Sequence, residues 1–102
     1  MAYVRINMVE FESPEEMREN ASIVHNNAEQ IFPEMQLFAS VATTDTSVFS
    51  ISIYPDKAAA ARAIKQRDKH HEGRKVTEIL AHEGELNAFF NKASSKIEVE
   101  NK

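Results

Sequence analysis

An α+β domain of order βαββαβ is what this chain predicts, on three observations. Apolar residues alternate at period two in the stretches 3–11 and 48–54. They recur at spacings of three and four between Met17 and Ile31. Each helical stretch opens on its own start signal, Ser13-Pro14 for the first and Pro55-Asp56 for the second. The 102 residues amount to one domain, expected over 1–90, with a polar C-terminal tail over 91–102.

The first strand is predicted over 3–11, where Val4, Ile6 and Met8 alternate with Tyr3, Arg5, Asn7 and Val9. The first helix follows. Ser13 is its N-cap, Pro14 takes the first helical position, and Glu16 completes a capping box. Glu15 and Glu16 suit the positive end of the helix dipole. Met17, Ala21, Val24, Ala28 and Ile31 form its inward stripe, and Pro33 stops it after Phe32.

Residues 35–43 and 48–54 read as a hairpin around the polar cluster Thr43–Ser47. The second helix runs from 57 to 72, ends at Gly73, and presents Ala60, Ala61, Ile64, Asp68 and His71 inward. The stretch 75–90 is read as a fourth strand bent or bulged at Gly84, with a short helix as the alternative. Lys96–Glu100 is a candidate short edge strand.

This order gives a ferredoxin-like arrangement, a four-stranded antiparallel sheet with two helices on one face. Val4, Ile6, Met8, Phe49, Ile51 and Ile53 form a uniformly apolar set, read as the helix-covered side. The opposite set is mixed: Tyr3, Val9, Phe11, Phe38 and Tyr54 stand among Arg5, Asn7 and several serines. Read as the open side, it exposes too much aromatic surface for water, and a second copy of the chain is expected to cover it. The alternative is a monomer with scattered surface hydrophobes.

The length, the element order, the two-sided sheet and the opening YVRINMVEF resemble the dimeric α+β barrel superfamily, which includes the antibiotic-biosynthesis-monooxygenase-like proteins. The resemblance is architectural and spans residues 3–90. It implies a homodimeric α+β barrel. The activities found in the group are cofactor-independent oxygenation, haem degradation, isomerisation and dismutase-like chemistry. In the haem-degrading members an early-strand Asn, a helical Trp and a late-helix His line the pocket. Asn7 and His71 (or adjacent His70) are similarly placed, but the chain has no Trp.

Composition narrows the function classes. With 12 Lys+Arg against 16 Asp+Glu, the net charge of −4 leaves no basic stripe for nucleic acid. The absence of cysteine excludes disulfides, thiolate metal sites and Cys nucleophiles. No segment has the ~18 consecutive apolar residues of a membrane span, and the amino terminus lacks a signal-peptide pattern, so a cytoplasmic placement without membrane contact is expected. The only glycines are Gly73 and Gly84, which leaves no phosphate-binding loop and no nucleotide cofactor expected. No His spacing suits a metal, because adjacent His70 and His71 diverge on a helix.

Four residues are candidate catalytic contacts. Asp68 and His71 are helical neighbours, a carboxylate beside an imidazole that would orient it and raise its basicity. The competing reading leaves both half-solvated, with Asp68 pairing to Lys65 or Lys69. Asn7 is a mid-strand amide, which otherwise serves as a hydrogen-bond partner of Ser40, Ser50 or Ser52. Tyr54 ends a strand, where an aromatic residue acts on a substrate or simply packs. His25 and His70 read as surface residues, and His82, beside Glu83, either reaches an edge or dimer contact or belongs to a solvated bend. The expected function is thus either a monooxygenase-like homodimer acting on a small apolar or aromatic molecule between sheet and helices, or a non-catalytic ligand-binding or stress-related homodimer.

Overall fold

In a computed structural model, which describes residues 1–92, the chain runs β1 (Tyr3–Phe11), α1 (Pro14–Ile31), β2 (Leu37–Ala42), β3 (Ser47–Tyr54), α2 (Lys57–His70) and β4 (Val76–Glu85). The order is the expected one. The candidate strand at Lys96–Glu100, and the expected tail from residue 93 on, lie outside the described residues. No described helix is long and apolar enough to cross a membrane.

Local chemistry sets the helix ends. Ser13 accepts a hydrogen bond from the Glu16 backbone N–H at 3.2 Å, with Pro14 in the first turn. Asp56 does the same for the Ala59 N–H at 2.8 Å. α1 kinks at Asn27 (φ −130°, ψ 20°), whose side-chain amide donates to the Ile23 carbonyl. Phe32 caps its end, as Pro33 requires. α2 is shorter than expected, since His71 is already its cap. Gly73 follows in the left-handed region at φ +80°, within a turn closed by the Arg74 N–H on the His71 carbonyl.

The sheet order is β2-β3-β1-β4, all neighbours antiparallel. The bulge expected at Gly84 sits elsewhere. Met8 pairs with Leu80 but Val9 with Glu78, so Ile79 is the extra residue. Because side chains alternate at period two, this single insertion inverts the strand's faces. Leu80, His82 and Gly84 share the face of Met8, Ile6 and Val4, while Glu78 and Val76 are carried to the face of Val9 and Phe11. The strand also ends at Glu85, five residues short of the expected limit.

The two faces are the reverse of the sequence expectation. The helices cover the mixed set: Tyr3 and Tyr54 are buried against Phe32 and Ala59, Ala60 and Ala63 of α2, with Ile31 and Met35 alongside. The uniformly apolar set is the open one. Val4, Ile6, Met8, Phe49, Ile51, Ile53 and Leu80 share that face, where Ile51 is 36% and Val41 56% exposed while Ile53 is buried at 7%. The reason is size matching. An alanine-rich helix face approaches closely and is filled by tyrosine rings at one end of the sheet, leaving the serines and Asn7 at its middle. Two expected inward residues, Ala21 and Ala61, are exposed, and Ala59 and Ala63 take the inward role with Ala60.

Candidate functional site

The C-terminal turn of α2 passes over the ends of β1 and β4 and leaves a pocket of about 210 Å³. Val9 and Val76 supply its apolar wall. Arg67, Asp68, His71, Arg74 and Glu78 supply its polar one. At that volume, and with five of its seven lining residues polar, it is smaller and more polar than the ~300–1,000 Å³ apolar cleft usual for a small-ligand site.

His71 is half-buried at the helix cap, its ring edge-on to Phe11 with centroids 6.4 Å apart. Burial, reinforced by His70, Arg67 and Arg74 and opposed by Asp68, pushes its pKa down to about 4. The imidazole is therefore neutral at pH 7. Among the described residues its ring makes no side-chain hydrogen bond, and His71 lines the pocket.

The expected Asp68–His71 pairing is absent. Asp68 is exposed and ion-paired with Arg67 at 3.3 Å, not with Lys65 or Lys69. The carboxylate that organises the site is Glu78. Its Oε2 accepts from Arg67 Nη1 at 2.5 Å and from Asn7 Nδ2 at 3.4 Å. Asn7 Oδ1 in turn accepts from the Ser50 hydroxyl. A continuous chain thus runs from β3 through β1 and β4 to α2, and of the three serines considered for Asn7 it is Ser50 that bonds. Asn7 reaches the pocket only through Glu78.

Tyr54 is not at this site. It is 3% exposed in the core cluster and pairs with Tyr3, six residues along β1 from Val9, or ~20 Å at ~3.3 Å per residue. His70 is not a surface residue. It is half-buried, with Nε2 2.7 Å from Asn20 Oδ1, and so joins α2 to α1. Burial and then Arg74 lower its pKa. His25 is exposed beside a second, larger groove of about 310 Å³ between α1 and β2. His82 is exposed on the open face opposite Ile6, within β4 rather than in a bend.

Sequence reasoning missed Arg67, Arg74 and Glu78. Glu78 shares parity with Leu80 and His82, and only the Ile79 bulge turns it toward α2. Arg67 sits one position before Asp68 of the predicted inward stripe. Among the described residues, no group of three or more His, Cys, Asp or Glu side chains is placed to hold a metal ion.

No protein-family model matches the chain, and no curated protein matches it. Solved structures do. A dimeric ferredoxin-like protein from an uncultured marine organism superposes with a TM-score of 0.65 at 11% identity, over 90% of this chain and 100% of that one. SnoaB, a cofactor-independent oxygenase from Streptomyces nogalater, gives 0.62 at 14% identity, over 89% and 98%. A Chloroflexus aurantiacus protein assigned to the antibiotic biosynthesis monooxygenases gives 0.65 at 6% identity, over 89% and 98%. At such identities the likeness is one of fold. By architecture, then, this chain has the ferredoxin-like fold of the dimeric ferredoxin-like and antibiotic-biosynthesis-monooxygenase-like proteins.

Proposed function

We propose that the chain works as a homodimer, joined through its open apolar face, and that each copy carries a cofactor-independent oxygenase-like site in the pocket under α2. The observation that carries the catalytic part is His71, a neutral imidazole that lines the pocket and makes none of the described side-chain hydrogen bonds. The dimeric part is supported by a sheet face that lacks charge at its centre and by the dimeric ferredoxin-like protein of the same fold. The oxygenase part is supported by the fold shared with SnoaB.

The substrate is a small, uncharged, largely apolar or aromatic molecule with an acidic O–H or activated C–H. The charges around the pocket are already paired: Arg67 with Glu78 and Asp68, and Arg74 with Glu19 at 3.5 Å. His71 takes the substrate proton. The negative charge left behind lies beside the new imidazolium and Arg67, which offsets the low basicity of the ring. The substrate anion then passes electrons to dioxygen. Where the reacting carbon is a methylene, one dioxygen yields a carbonyl and one water. Asn7 and Glu78 hold Arg67 in place.

Dioxygen uptake with a panel of aromatic quinols and aryl ketones bearing an activated methylene tests this. His71→Ala is expected to lower the rate about a hundredfold or more, the usual scale for a general base. Asp68→Asn is expected to leave it within about twofold. The wild-type rate should stay level from pH 8 to about pH 5.5 and then fall as His71 is protonated, with a midpoint near 4. A rate indifferent to His71→Ala, with the ligands still bound, would leave the non-catalytic binding homodimer as the reading.

A further inference from the structure

Among the described residues, the open face carries one ionisable side chain within its apolar field. His82 lies opposite Ile6 on β4, between Leu80 and Gly84 along the strand. The other ionisable group placed on this face among the described residues is Glu10. It sits at the end of β1 opposite Ser47, where the hydroxyls of Thr46 and Ser47 hold it and lower its pKa. No described charged residue of β1, β3 or β2 faces His82 from its own chain. The neighbouring Glu83 points to the other side, toward Arg5 and Tyr3.

We infer that acid weakens the pairing of two copies through this face, because His82 has to enter the interface as a neutral imidazole. The inference rests on the homodimer proposed above. A second copy presents the same face, so the described ionisable groups it brings are its own His82 and Glu10. Histidine is the side chain whose charge ordinarily changes between ~pH 5 and 8. A protonated imidazole buried among isoleucines and leucines has lost its hydration and gained no counter-charge. Two copies related by a two-fold axis carry two such cations into one interface, and they repel. In the single chain the His82 side chain is exposed to water.

The probe is the full chain, by sedimentation equilibrium at pH 7.5, 6.5 and 5.5 at constant ionic strength, with circular dichroism confirming the fold at each pH. The dimer Kd is expected to rise at least tenfold from pH 7.5 to 5.5, and by up to about a hundredfold per pH unit where both imidazoles must be neutral. His82→Gln and His82→Phe, which carry no charge at any of these values, are expected to give a flat profile. A dimer whose Kd is level or falls in acid would overturn this inference and leave the homodimer standing, the second outcome pointing to Glu10 of the second copy as a counter-charge. A slope retained in both variants would overturn it as well. A single chain at every pH would overturn the homodimer itself.

Discussion

Tyr54→Ala is expected to lower stability by about 3–5 kcal/mol, the largest loss from any single substitution proposed here. The ring is 3% exposed and fills the space between β3, Phe32 and the alanine face of α2. Those alanines cannot move inward to collapse the void, because Ala59, Ala60 and Ala63 are already 1% exposed against the sheet. Tyr54→Phe keeps the packing and is expected to change stability by less than about 1 kcal/mol, since the phenol makes none of the described side-chain hydrogen bonds. Urea denaturation separates the two. With a slope of ~1–2 kcal/mol per molar for a chain of this size, the alanine variant's midpoint should fall by about 2 M or more. If Tyr54→Phe instead abolished dioxygen uptake without loss of stability, the residue would belong to the site and not to the core.

Ile51→Asp is expected to abolish self-association up to about 100 µM while leaving the single chain folded. Ile51 lies on β3 between Ile6 and Ala39, near the middle of the open face. At 36% exposure in the single chain, its replacement costs the monomer less than replacing a fully buried isoleucine would. In a two-fold pair each interface would gain two carboxylates with no counter-charge, at several kcal/mol per buried ion. That corresponds to a rise in Kd of about a thousandfold or more. The footprint makes the sensitivity plausible in size. Four strands ~4.8 Å apart and ~8 residues long cover ~500 Å² per copy, ~1,000 Å² in all, near the lower limit for a specific interface. Such an interface has no surplus to absorb a buried charge.

The element order was legible because its signals are local. Ser13 and Pro14 specify a helix start within two residues, and Asp56 does so for α2, though the Glu16 carboxylate makes none of the described hydrogen bonds and the expected capping box is only half formed. The alternation of Phe49, Ile51 and Ile53 specifies a strand whatever covers it. Which face is covered is not local. The mixed set carries the tyrosines that match a small-residue helix, and the apolar set has no such partner within one chain. Both sets satisfy the same period-two pattern, so alternation alone does not assign them.

The site was half legible for a related reason. His71 was found from helical spacing, and its place beneath the last turn of α2 follows from that spacing. Its carboxylate neighbour was misassigned. At the end of α2, Arg67 and Asp68 both line the pocket, but Arg67 is the more buried of the two and bonds Glu78, while the more exposed Asp68 pairs with Arg67. Glu78 was hidden by the bulge at Ile79, where one extra residue moves it across the sheet. Asn7 was found as a polar residue in a strand, and its bond to Ser50 follows from their direct cross-strand pairing.

The mass of the purified full chain in solution, read by light scattering at about 10 µM and pH 7.5, bears on all of this at once. Two copies hiding the Ile6–Ile51–Leu80 face give twice the chain mass of 11.6 kDa, reduced to one chain mass by Ile51→Asp. A wild-type protein of 11.6 kDa under those conditions, with that face in water, would contradict the homodimer on which the proposed function stands.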